Sequence, residues 1–132
     1  MRTLIAEDDS TCSMILESLL KPYGSCIVVD NGEAAVKAFT SNLVREQPFD
    51  LVCLDIMMPG LDGQACLRCI RAIEQAFGRL GASGAKILMT TSLDSPASIM
   101  SAFRGQCEGY LVKPIDRNRL TAQLTSLGFT PS

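Results

Sequence analysis

The sequence predicts a doubly wound α/β domain, a five-stranded parallel sheet between two layers of helices, five in all. Three observations predict it. Five short apolar runs, "TLIA" (3–6), "CIVV" (26–29), "DLVCL" (50–54), "KILMTT" (86–91) and "GYLV" (109–112), have the length of strands. The segments between them are longer and repeat apolar residues at spacings of three and four, as a helix with one buried face does. Strict alternation of the two kinds implies parallel strands joined by right-handed crossovers, with helices on both sheet faces. Strands covered on both sides read as continuous apolar runs, as these do.

The elements follow in order. After the first strand, Asp9 stands where it can cap a helix beginning "STCSMILE", on which Cys12, Ile15, Leu16 and Leu19 share a face. The second strand leads into "DNGEAAVKAF", a helix capped by Asn31. A loose stretch, "VREQP", precedes the third strand. Residues 63–78 read as a helix whose apolar stripe carries Cys66, Cys69, Ile70, Ile73 and Phe77. The glycines of "GRLGASGAK" mark a loop before the fourth strand. Alternation puts the fourth helix between the fourth and fifth strands, and in the last helix Leu120, Leu124 and Leu127 share a face.

Composition excludes several classes of function. A chain of 132 residues fits one domain. With 47% hydrophobic and 20% charged residues it has the balance of a compact globule, and no run approaches the ~18 consecutive apolar residues of a membrane span. Acids arrive at once in "MRTLIAEDD", where a secretory leader would still need its apolar stretch, so the expected location is the cytoplasm. A net charge of −2 without a basic run gives no footprint for nucleic acid. There is no histidine, so any phosphohistidine chemistry must come from a partner. The six cysteines lack the further ligands of a metal site, and the "CLRC" pair reads as core packing.

Sites in open α/β sheets form outside the carboxyl ends of the strands. Here the first strand ends in Glu7, Asp8 and Asp9, the third in Asp55, the fourth in Thr90, Thr91 and Ser92, and the fifth in Lys113 followed by Pro114. Taken singly, each has a plain structural explanation: a helix cap, strand composition, a turn. Together they place several carboxylates, hydroxyls and one lysine at one edge. Gathered carboxylates repel unless a cation joins them, and Mg²⁺ suits a few carboxylates with retained water and phosphate oxygens.

Four motifs, "AEDD", "DLVCLDIMMPGLDG", "ILMTTS" and "GYLVKPID", resemble in order those of the response regulator receiver domain, end to end along the chain. The resemblance implies a flavodoxin-like sheet of strand order 2-1-3-4-5 and a single receiver domain over 1–132 with no separate output domain. By the same resemblance Asp55 is the phosphoacceptor, Asp8 a direct Mg²⁺ ligand, Glu7 a ligand through water, and the Met57 main-chain carbonyl a further ligand, with Mn²⁺ as a substitute ion. Thr91 and Lys113 correspond to the groups that meet the phosphoryl oxygens. Thr91 and Tyr110 form the switch, and Pro59, Gly63 and Pro114 shape turns, with the Lys113–Pro114 bond expected to be cis. Asp9 falls one place beyond the metal pair, and Thr90 one place too early.

The implied partners are a sensor histidine kinase or histidine phosphotransfer protein of a bacterial two-component system, and a target protein docking on the face from the fourth helix to the fifth. The resemblance also allows a homodimer. It implies no membrane, no direct nucleic-acid contact and no enzymatic activity beyond the domain's own phosphorylation and dephosphorylation. Rival readings are an aspartate-nucleophile phosphatase, a flavin carrier and an unphosphorylated docking module. The phosphatase needs a second acid where Met57 stands, and an acidic "EDD" loop would repel a flavin phosphate.

Overall fold

The computed structural model describes residues 1–79 and 81–131. The strands are β1 (Arg2–Ala6), β2 (Ser25–Val29), β3 (Leu51–Leu54), β4 (Lys86–Thr91) and β5 (Gly109–Val112). They alternate with helices α1 (Ser10–Leu20), α2 (Gly32–Val44), α3 (Gly63–Ala76), α4 (Pro96–Arg104) and α5 (Arg117–Ser126). All strand pairs are parallel, in the order β2-β1-β3-β4-β5. The fold class and strand order are those the sequence predicts. Among the described residues no helix is long and apolar enough to cross a membrane.

Successive strand residues point to opposite faces, and two cores follow from that parity. On one side Leu4, Val52 and Ile87 meet Phe39 and Ile70 from α2 and α3; on the other Ile5, Cys53 and Leu88 meet Leu16 of α1 and Leu120 of α5. Every α-helix starts on a side-chain cap: Asp9, Asn31, Asp62, Ser95 and Asp116 each accept a hydrogen bond from a first-turn N–H. Such a cap is worth about 1 kcal/mol and fixes where the chain turns from strand to helix. It therefore sets the loops that carry the site.

Three expectations need correction. On α1 the buried residues are Cys12, Ser13, Leu16 and Leu20, while Ile15 is 43% exposed and Leu19 half-buried. Ser13 goes inward with its hydroxyl satisfied by the Ser10 carbonyl. On α3, Leu67 and Glu74 are buried in place of Cys69 and Phe77. Phe77 lies past the helix end and is 46% exposed. Nor is every strand covered on both sides: β2 is an edge, with Ile27 and Val28 exposed. An uninterrupted apolar run does not distinguish an edge strand from a central one. The loop "GRLGASGAK" connects α3 to β4 as expected; Leu80 within it lies outside the described residues.

Candidate functional site

Asp55 follows the last residue of β3, and its N–H still donates to the Ala6 carbonyl of β1, so the ladder holds its main chain. It is 4% exposed. One carboxylate oxygen accepts from the Met57 N–H at 3.2 Å, the other from Lys113 Nζ at 3.1 Å. Lys113 follows β5, anchored by its N–H on the Thr91 carbonyl, and the Lys113–Pro114 bond is cis. The same ammonium stands 2.5 Å from Oε1 of Glu7, a buried side chain at the end of β1. Asp8 beside it is exposed. Three parallel strands thus deliver two buried carboxylates and a lysine to one edge.

Burial pushes the Glu7 carboxyl up, against the opposing pull of Lys113. Burial works against the lysine's charge as well, but Glu7 and Asp55 outweigh it and hold the ammonium above its ordinary range. One lysine faces three acids. Oxygens of Glu7, Asp8 and Asp55 lie within 4.8 Å of one another, a hard, all-oxygen set left with excess negative charge. That donor set fits a divalent cation of the Mg²⁺ kind. Asp9 does not join it: its carboxylate caps α1, and its N–H donates to Glu7 Oε2.

The turn after Asp55 is pinned from two sides. Gly63 donates to the Ile56 carbonyl, and a Cβ there would stand 2.2 Å from the Asp55 carbonyl oxygen, so only glycine permits the approach. The Leu61 N–H donates to Glu33 of α2. Pro59 lies in this turn, and Met57, 58% exposed, stands at the rim of the pocket.

Thr91 and Tyr110 form a second group. Thr91 Oγ1 accepts from the Leu93 N–H at 3.3 Å, and the Tyr110 hydroxyl donates to the Leu93 carbonyl at 2.7 Å. The two predicted switch residues are therefore joined through the main chain of one residue, Leu93, in the β4–α4 loop. A main-chain relay of this kind leaves no mark in side-chain identity. Thr90, fully buried, shows no partner for its hydroxyl among the described residues.

The six cysteines are free. Burial, and then the Glu7 carboxylate beside it, raises the Cys12 thiol to about 12; burial raises Cys66 to about 12 and Cys107 to about 11. Thiols held that high carry little thiolate at neutral pH.

The fold and the pocket together define a class: a doubly wound α/β domain with an acidic pocket and a lysine at the carboxyl edge of its sheet. The family model described as "Response regulator receiver domain" matches residues 3–125. The transcriptional regulatory protein ZraR of Escherichia coli K12 is 33% identical over 122 residues, 92% of this chain and 25% of ZraR. The sensor protein GacS of Pseudomonas syringae is 32% identical over 120 residues, 90% of this chain and 12% of GacS.

Among solved structures, the fold is similar to that in the CheX-CheY-BeF3-Mg complex from Borrelia burgdorferi. There the TM-score is 0.83 at 23% identity, covering 98% of this chain and 90% of that one. The receiver domain of the histidine kinase CKI1 from Arabidopsis thaliana, complexed with Mg²⁺ and BeF3⁻, gives 0.80 at 21%, covering 94% and 89%. The chain belongs to the response regulator receiver domain family of two-component signalling, whose general role is to accept a phosphoryl group. It spans about a quarter of the length of the ZraR regulators it matches.

Proposed function

We propose that this receiver takes a phosphoryl group onto Asp55 from the phosphohistidine of a partner kinase or phosphotransfer protein, with Mg²⁺ bound, in the cytoplasm. The observation that carries the reading is the single lysine bridging Glu7 and Asp55 beside three converging carboxylates. Glu7, Asp8, Asp55 and the Met57 carbonyl are the groups that would hold the ion, which supplies charge neutralisation to the phosphoryl oxygens.

Asp55 acts as the nucleophile. Its carboxylate oxygen forms the new bond to phosphorus as the P–N bond breaks, and that electron pair returns to the donor imidazole. No general base is needed, because a carboxylate is already ionised at neutral pH. Lys113 lies within hydrogen-bond distance of Asp55 and is placed to meet the phosphoryl oxygens as a point charge. The domain catalyses only its own phosphorylation and dephosphorylation.

Switching follows from the two main-chain bonds of Leu93. A phosphoryl oxygen drawing the Thr91 hydroxyl toward Asp55 takes away the acceptor of the Leu93 N–H, and the loop that holds Tyr110 loses one of its two anchors. The face from α4 to α5, which exposes Met100 and Phe103, is the surface this change would present to a target protein.

The test is intact-mass analysis after incubation with acetyl phosphate, with Mg²⁺ or with EDTA. One phosphoryl group, present only with Mg²⁺ and mapped to Asp55, is the expected result. No adduct under either condition, and no response to beryllofluoride, would leave an unphosphorylated docking module instead.

Met57 is expected to prolong the phosphorylated state, because an exposed apolar side chain at the rim hinders an attacking water and offers it no hydrogen bond. A Met57→Asn variant should lose its phosphoryl group roughly tenfold faster, equivalent to about 1.4 kcal/mol in the barrier. An equal or slower decay, followed by phosphate release, would remove Met57 from that role.

A further inference from the structure

The edge strand β2 carries none of the devices that usually keep a sheet edge from pairing. Its sequence, "SCIVV", has no charge and no proline, and Ile27 and Val28 are 45% and 39% exposed. The Ser25 N–H donates to Met1, and the Val29 carbonyl accepts from Glu7. Residues 25, 27 and 29 therefore aim their main-chain groups at β1. Cys26 and Val28, one step out of phase, aim theirs away from the sheet, where β2 has no further strand neighbour among the described residues.

We propose that β2 is a homodimer interface, pairing antiparallel with β2 of a second copy about a two-fold axis that passes between the two Ile27 residues. The strand is complementary to itself in that arrangement. Cys26 lies opposite Val28 of the second copy, and each such pair exchanges both main-chain hydrogen bonds. Ile27 meets its own copy in the closer, non-hydrogen-bonded position, on the face of the sheet that carries α2.

The flanks are complementary as well. Asp30 shares the parity of Cys26 and Val28, is exposed, and comes opposite Gly24 of the second copy. Gly24 lines a groove of about 500 Å³ between α1 and β2, whose other walls include Lys21, Glu17 and Met14. Antiparallel pairing thus brings an exposed acid beside an exposed lysine at both ends, and Met14, 69% exposed, stands over the Cys26–Val28 pair. An isologous contact of this kind closes at two copies.

The experiment is sedimentation velocity on the full chain over a concentration series, for wild type, Ile27→Lys, Val28→Lys and Met100→Lys. A reversible monomer–dimer equilibrium is expected. Both strand substitutions should raise its dissociation constant about tenfold or more, since Val28→Lys sets a charge against the apolar Cys26 of the second copy and Ile27→Lys sets two like charges against each other. Met100→Lys, on α4, should leave it unchanged. Phosphoryl uptake measured in parallel should stay at the wild-type level in the strand variants, which also reports that they fold.

Under mild oxidation, Ile27→Cys should give a reducible covalent dimer linked at position 27, above the background of the native cysteines. A monomer at every concentration, a dimer that survives both strand substitutions, or a dimer lost only in Met100→Lys would each overturn the proposal. A dimer without the position-27 link would overturn the antiparallel register.

Discussion

Asp55→Asn is expected to abolish phosphoryl uptake and yet to make the metal-free protein more stable. Uptake goes because an amide oxygen is not the carboxylate nucleophile. The Lys113–Asp55 contact at 3.1 Å is lost with the charge, and the remaining contacts survive. The amide carbonyl still accepts from the Met57 N–H, and the Glu7–Lys113 pair at 2.5 Å is untouched.

What disappears is the excess charge, since Asp55 is among the groups that push Glu7 up. One ammonium then balances one buried carboxylate. Relief of a like-charge contact of this kind is worth roughly 1–2 kcal/mol. Urea unfolding in EDTA should show that gain, and adding Mg²⁺ should narrow or reverse it, because the wild type, with one more carboxylate, should bind the ion more tightly.

Acidification has a definite sign. The folded Glu7 is raised, so its protonated form is favoured in the folded state. That contribution is complete below the ordinary carboxylate value and is lost as pH rises through the raised one. The gap between wild type and variant in EDTA should therefore shrink as pH falls through that window. An Asp55→Asn protein that still takes up a phosphoryl group, or one less stable than wild type in EDTA, would refute the site.

The fold was legible because parallel strands covered on both sides must be apolar throughout, and because Asp9 and Asn31 mark helix starts by chemistry that acts within three residues. The pocket was legible for a related reason. Topology alone carries Glu7, Asp55 and Lys113, from the ends of three strands, to one edge. What failed was finer than the elements. A helical face spans a wide arc, so Ile15 and Phe77 fitted the apolar period as well as Leu20 and Leu67, which in fact face inward. The exposure of β2 depends on strand order, and the Leu93 relay is made of main chain; neither is encoded in a residue type.

Arg71 is the largest structural feature that sequence reasoning passed over, and its removal is expected to cost stability far from the pocket. Its guanidinium is saturated. Nη1 meets Glu74 Oε1 at 2.6 Å and the Ala85 carbonyl at 2.9 Å, while Nε and Nη2 meet the Gln106 carbonyl at 3.0 and 2.8 Å. Nη2 also reaches Glu108 at 2.7 Å. Glu74, 1% exposed, accepts from the Ala85 N–H, and Glu108 accepts from the Ile87 N–H. One side chain of α3 thus binds the entry to β4 and the turn before β5.

Arg71→Ala leaves the Glu74 carboxylate buried without its cation, a loss of about 3–5 kcal/mol, and stability totals only about 5–15 kcal/mol in such domains. Arg71→Lys should recover little, because a single ammonium cannot reproduce the fork. Combining Arg71→Met with Glu74→Met should cost less than Arg71→Met alone, since no unpaired charge remains. Urea unfolding of the four variants gives these differences, and hydrogen exchange at the Ala85 and Ile87 amides should rise in Arg71→Ala and Arg71→Lys. An Arg71→Ala loss under about 1 kcal/mol would show that the carboxylate finds water or protonates instead, and that the clamp orders these loops without holding the fold together.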